Sequence, residues 1–325
     1  MPETQSGPTP VAAAAAGGGL LAPPAGDVAE SLYEHGLEVR ARSQWAYARK
    51  RFLRHRLAVA SLIVVTAIFL CGVFANFIAP HSYSAIDLNY LYHAPTVKSA
   101  HYFGTDALGR DYFSRVVYGI RTSAKVGLVV ALLSTVIGMF VGGIAGYFGG
   151  WIDNILMRIT DLVLTLPLLP LLLTAAALLG QGNEWRVTLI LAFVFWTNLA
   201  RIVRGSFLSL REKEYVEAAK AAGAGDFRIM FRHMLPNSLG PIVVNGTLTV
   251  GTAILVEAAL SFLGFGIQPP TPALGALVTE GQDNPQAWWL TVFPGLTLVL
   301  IVLCVNFVGD GLRDALDPTQ RRVRA

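Results

Sequence analysis

The chain has 325 residues, of which 54% are hydrophobic and only 14% charged, and its mean hydropathy is +0.53. Soluble domains carry about 25% charged residues, so this composition excludes an ordinary soluble enzyme or binding module. The net charge of +4 does not point to nucleic acid, because the basic residues flank apolar runs, and the two cysteines, Cys71 and Cys304, lie inside such runs and offer no disulfide framework.

The first stretch, up to about residue 27, is rich in Ala, Gly and Pro. Such a composition cannot build a core and predicts a disordered tail. A basic cluster of Arg40, Arg42, Arg49, Lys50, Arg51, Arg54 and Arg56 follows, and directly behind it residues 57–79 are free of charge. A helix of that length spans about 34 Å, enough for a bilayer core of about 30 Å. Further uncharged runs cover 126–148, 162–180, 187–200, 242–256 and 289–309. The fourth is short and is expected to continue through Arg201 and Arg204, their side chains reaching to the headgroups. The fifth must include Glu257 to reach full length. The chain therefore reads as an all-α integral membrane protein, a six-helix polytopic bundle.

Charge chooses the orientation. With both termini in the cytoplasm, nineteen of the 25 Lys and Arg residues fall on the inner side, and the outer loops keep only Lys98, Arg110, Arg115, Arg121 and Arg186, with Lys125 at a boundary. The positive-inside bias favours that arrangement. The expected organisation is a basic cytoplasmic tail over 1–50, a first span and outer loop over 51–121, a core of five spans over 122–318 with a cytoplasmic loop at 205–237, and a basic tail over 319–325.

Several local patterns carry structural expectations. Gly138, Gly142, Gly146 and Gly150 recur every fourth residue and predict a smooth stripe on which another helix packs. Pro167 and Pro170 should kink the third span. Phe113, Val116, Val117 and Ile120 share one helical face, which predicts a short amphipathic helix over 111–121 lying on the membrane surface or packed on the bundle. Glu257 is costly in lipid and should face protein or water, lining the path or bracing the bundle with Asn245 or Asn306. The six histidines (His35, His55, His81, His93, His101 and His233) stand scattered in loops without ligand spacing, so no metal is expected.

The loop at 205–237 is the most informative stretch. Good helix formers over 212–222 are broken by Gly223 and Gly225, Asp226 suits the N-cap of a second short helix, and Pro236 follows that helix. The result is a helical elbow with small residues that could nest in a groove of another protein. Glu217, Ala218 and Ala219, then Gly223, then Leu235 and Pro236 stand at the spacing of the EAA motif, and the loop resembles that of ABC importer permeases. His233 replaces the usual apolar residue, as in the peptide-transporting branch. The stretch 101–115, with Thr105, Asp106, Gly109, Arg110 and Asp111, resembles the outer loop of the second permease of dipeptide and oligopeptide systems; residues 257–270 and 309–318 resemble the same branch.

The resemblance implies a type I ABC importer permease bundle in the cytoplasmic membrane of a bacterium or archaeon. It also implies the partners: a second permease subunit, two ATP-binding subunits and an extracytoplasmic substrate-binding protein. Glu217, Ala218, Ala219, Gly223, Ala224, Asp226, Leu235 and Pro236 would couple to the ATPase, and Thr105, Asp106, Gly109, Arg110 and Asp111 would meet the binding protein. Relatives of this type carry peptides, and some carry nickel complexes or oligosaccharides. No cofactor is expected in this chain, ATP and magnesium belonging to the partner subunits. Gly104 to Asp111 has the glycine spacing of a phosphate loop but lacks its lysine and hydroxyl. An ion-coupled secondary transporter would want paired buried ionisable groups and internal repeats, and a membrane enzyme a catalytic cluster; neither pattern is present in the sequence.

Overall fold

The computed structural model describes residues 44–180, 183–282 and 284–317. The tail expected to be disordered, with Arg40 and Arg42, and the basic segment over 319–325 lie outside the described residues.

Helix α1 (Gln44–Arg54) leads into α2 (Arg56–Val73), which His55 caps by accepting the Ala58 N–H at 3.1 Å. A short α3 (Ala75–Ile78) completes the first predicted span. Helix α4 (Tyr112–Phe148) begins at Asp111, whose carboxylate accepts the Ser114 N–H at 2.8 Å. Helices α5 (Gly150–Thr165) and α6 (Leu168–Leu179) follow, then α7 (Glu184–Arg211) and α8 (Glu214–Ala221). Helix α9 (Asp226–Phe262), α10 (Leu274–Glu280) and α11 (Trp289–Leu316) close the chain. Among the described residues α2, α4, α7, α9 and α11 are long and apolar enough to cross a bilayer, and α5 with α6 makes a sixth span if the pair is counted as one. Exposed Leu132, Phe193, Leu178 and Leu296 lie on these helices and suit contact with lipid or with another membrane chain.

The junction of α5 and α6 bends by 92°. Pro167 restricts the preceding residue, and Leu166 is accordingly extended (φ −75°, ψ 134°). Pro170 falls in the first turn of α6, where its missing N–H would have had no helical partner.

The amphipathic segment is not a separate surface helix. It forms the first turns of α4, which runs unbroken past the expected boundary at 121/122, and Val116, Val117 and Ile120 are buried against the bundle. Neither proline nor glycine pairs interrupt 112–126, so nothing stops the helix there.

The packing centre is the α4/α7 pair. A Cβ at Gly138 would lie 2.7 Å from Trp196 O, at Gly142 2.2 Å from Ala200 O, and at Gly146 2.7 Å from Arg204 O. Only glycine allows two backbones this close, and close approach is what drives helix association in lipid. Gly150 does not join the stripe: Gly149 (φ +67°) turns the chain out of α4, and a Cβ at Gly150 meets nothing within 4 Å. Accordingly 61% of the most apolar window of α7 is buried, against 22% for α2.

Ion pairs reinforce the α5/α7 contact. Arg201 Nη2 donates to Asp161 Oδ1 at 2.5 Å, and Arg204 donates to both Asp153 oxygens, the Nη2 to Oδ2 bond being 2.6 Å. Each of the two arginines expected to reach toward headgroups also pairs with a carboxylate on the adjacent helix.

Candidate functional site

The elbow over 205–237 forms one end of the bundle. Helix α8 ends in a left-handed Gly223 (φ +79°), with Gly223 N–H donating to Lys220 O at 2.9 Å and Ala224 N–H to Ala219 O at 3.0 Å. This pair of bonds closes a Schellman cap and satisfies the carbonyls that the helix end would leave open. Val216 on the inner face of α8 is fully buried in a cluster with Phe207, Ile229, Met230 and Met234. Glu217, Ala218 and Gly223 are exposed, Ala219 and Ala224 half-buried. A side chain at Gly223 would meet no atom of this chain within 4 Å. The elbow thus offers a small, solvent-facing corner at which no ion pair holds Glu217 among the described residues.

Its second arm differs from expectation. Gly225, not Asp226, occupies the N-cap, and no side chain caps there. Asp226 is the first helical residue and accepts a 2.6 Å hydrogen bond from the Tyr147 hydroxyl. The second arm is also not a short helix ended before Pro236. It is the start of α9, which passes through Pro236 after a π-wound turn at Ile229–Met234. Proline lacks an N–H and crowds the carbonyl of the previous turn, and the wider turn makes room for it. Leu235 is half-buried and Pro236 exposed.

Beside the elbow, an apolar cavity of about 390 Å³ is lined by Met139, Phe140, Phe227, Met230 and Phe231. A second cleft of about 490 Å³, between α7, α9 and α11, is lined by Ile202, Gly240, Asn245, Leu248 and Arg313.

Glu257 lies fully buried near the far end of α9. Its Oε2 accepts from Ser123 Oγ of α4 at 3.0 Å and its Oε1 from Ser261 Oγ at 2.7 Å. Ser261 Oγ in turn accepts the Ile267 N–H at 3.1 Å. The carboxylate therefore ties α4 to α9 and to the return after α9, through serines and not through Asn245 or Asn306. Asn245 faces the cleft instead, and Asn306 stands half-buried on α11 beside Gly251. Ser261 stands one helical turn after Glu257, so spacing could have pointed to it, whereas Ser123 lies on another helix and left no sign in the sequence.

At the opposite end, residues 79–111 fold back onto α4, α10 and α11. Thr105, Asp106 and Asp111 are buried, so their side chains serve the interior of this loop rather than presenting a face to another protein. Asp106 Oδ1 accepts the N–H groups of Leu108 and Arg110 at 2.9 and 3.0 Å, and its Oδ2 accepts Arg110 Nε at 2.6 Å. Arg115, 3% exposed, bridges Asp106 to Glu280 of α10, with Nη2 2.7 Å from Oε1. Gly109 (φ +72°) passes so close to Asp87 that a Cβ would lie 1.8 Å from its carbonyl oxygen. The Tyr112 hydroxyl lies 2.6 Å from Leu277 O and 2.9 Å from Leu290 O, and Trp289 Nε1 donates to Thr105 O at 3.2 Å. The sequence reading missed Tyr112, Glu280 and Trp289, because their partners are far away along the chain.

Two of the supposedly scattered histidines are also brought together here. The rings of His81 and His101 stack with centroids 4.8 Å apart, and His101 Nδ1 lies 3.0 Å from Asp111 Oδ1. The loop between them doubles back, with Thr96 N–H donating to His101 O at 2.9 Å, which a linear spacing rule does not register.

Comparison with known proteins agrees with this architecture. Residues 135–322 match the family described as binding-protein-dependent transport system inner membrane component, and residues 43–95 match the N-terminal TM domain of oligopeptide transport permease C. The dipeptide transport system permease protein DppC of Alkalihalophilus pseudofirmus is 42% identical over 280 residues, 86% of this chain and 91% of that one. The oligopeptide transport system permease protein OppC of Escherichia coli K12 is 42% identical over 290 residues, 89% and 96% of the two chains. A solved inward-facing structure of the MetNI methionine ABC transporter shares the fold at TM-score 0.51 and 21% identity, covering 62% of this chain and 96% of that one.

Proposed function

Because this chain belongs to the binding-protein-dependent transport system inner membrane component family, we propose that it forms half of the translocation pore of an ATP-driven importer for peptides. A second permease subunit completes the pore, two ATP-binding subunits dock on the elbows, and an extracytoplasmic binding protein delivers the substrate. The peptide assignment rests on the names of the relatives, which are dipeptide and oligopeptide permeases. The orientation, with both termini and the elbow in the cytoplasm, rests on the placement of basic residues.

The observation that carries the mechanical reading is the elbow itself. Its outer corner is exposed at Glu217, Ala218 and Gly223, while Val216 and the Tyr147–Asp226 bond fasten its inner face to α4 and α9. A push received at the corner therefore reaches two spanning helices. Small residues allow close seating in a groove of the ATPase, and Glu217, which no ion pair holds among the described residues, is available to a basic partner. The test is Gly223→Trp in the assembled transporter. The chain is expected to insert, because no atom of it lies within 4 Å of a side chain there, while peptide uptake is lost and ATP hydrolysis no longer tracks transport. Gly223→Ala, which bears the same left-handed strain of about 1–2 kcal/mol without the bulk, should keep uptake. Persistent uptake in Gly223→Trp would remove the coupling role.

A further inference from the structure

We propose that His81, His101 and Asp111 bind a single divalent transition-metal ion of the zinc class at the loop end of the bundle. The inference is independent of the pore-forming role. Two imidazoles and one carboxylate form a donor set that such ions accept, with a fourth position left for water. The three ligand atoms lie within 4.8 Å of one another.

The distances approach those of an ion site, and one ring must reorient to complete it. Tetrahedral coordination at about 2.1 Å places ligand atoms about 3.4 Å apart. His101 Nδ1 is 3.0 Å from Asp111 Oδ1, and His81 Nδ1 is 3.9 Å from Asp111 Oδ2. Closing the set requires the His81 ring, whose side chain is 38% exposed, to rotate out of its stack on His101 until both ring nitrogens point at one ion, whereas the other two side chains are 7% and 0% exposed and fixed.

Two further features point to a cation. His81 Nδ1 is a buried atom with no hydrogen-bond partner, and a metal bond would satisfy it. Asp111 is a fully buried carboxylate whose ion-pair partners, among the described residues, are these two histidines and no lysine or arginine. Ser114 holds Asp111 Oδ2 through its N–H at 2.8 Å and its hydroxyl at 2.5 Å. Outer-shell donors of this kind orient a ligating carboxylate. Ligation at His101 Nδ1 would replace its contact with Asp111 Oδ1 and requires the imidazole to carry its proton on Nε2.

The test uses the assembled transporter, stripped with a chelator and titrated calorimetrically with zinc chloride near neutral pH. One saturable site per copy of this chain is expected. His81→Phe keeps an aromatic ring at the position but removes the ligand nitrogen, and it should weaken binding by at least the roughly 10–100-fold that loss of an outer-shell partner costs. His93→Ala, in the same loop but outside the cluster, should bind as the unaltered protein does. Absence of saturable binding, unchanged affinity in His81→Phe, or an equal loss in His93→Ala overturns the assignment. X-ray absorption at the zinc edge of the unaltered protein gives a check that needs no variant: a shell containing two imidazoles supports the site, and one without imidazole overturns it.

Discussion

The Tyr147 hydroxyl donates to Asp226 Oδ1 at 2.6 Å, joining the last turn of α4 to the first residue of α9. The Lys220 ammonium stands 5.8 Å from the centre of the same ring, so the tip of α8 is drawn to the same point. Three helices meet at one side chain, directly behind the exposed corner of the elbow.

Tyr147→Phe removes that bond and leaves the ring. A hydrogen bond to a charged group contributes about 1.5–3 kcal/mol, and the partial exposure here puts its loss at the low end. The elbow should loosen against α4, so the number of substrate molecules moved per ATP hydrolysed should fall several-fold while the assembled complex remains intact. An unchanged ratio in reconstituted vesicles would show that the bond transmits nothing.

Gly142→Leu should be far worse than its size implies. The new Cβ would lie 2.2 Å from the Ala200 carbonyl oxygen, a backbone atom that cannot turn away. The cost should exceed the about 1–3 kcal/mol of ordinary overpacking, and little folded protein should be recovered from membranes. Gly205→Ala, where nothing lies within 4 Å, should keep or raise the melting temperature, since alanine favours a helix by about 0.8–1 kcal/mol over glycine.

Arg115→Met should lower thermal stability by the equivalent of about 3–5 kcal/mol, because it strips a partner from buried Asp106 and from Glu280 together. A double-mutant cycle with Glu280→Gln measures the share due to that pair. Additive losses in detergent melts would show that the two residues act separately.

Glu257→Leu and Glu257→Gln should part company. Glutamine keeps one acceptor oxygen for a serine hydroxyl and offers its amide N–H to the other, which can turn to accept, and assembly should survive. Leucine leaves both hydroxyls buried without an acceptor, at about 1–3 kcal/mol each. Equal stability in the two variants would remove the bracing role.

The sequence alone determined the solvent and the plan. A bilayer demands runs of about 20 apolar residues, so five spanning helices, the extension of the fourth run through Arg201 and Arg204, and the inclusion of Glu257 in the fifth were legible from length and hydropathy, while the run at 162–180 falls in a pair bent by 92°. The helical four-residue repeat likewise made Gly138, Gly142 and Gly146 readable, because one rule relates spacing to a face. The elbow was readable from its glycine break and from the spacing of Glu217, Gly223 and Pro236.

Only the tertiary structure decided where helices begin and end around these features, and which polar groups meet. Gly150 left the stripe because Gly149 turned the chain, and Pro236 sat within a helix because a π-wound turn accommodated it. Arg115 found Glu280, Glu257 found Ser123, and His81 found His101 across loops or between helices. Periodicity relates residues a few positions apart on one element; contacts between elements depend on how the bundle closes, and burial then selects the partners that leave the fewest charges and hydroxyls unsatisfied.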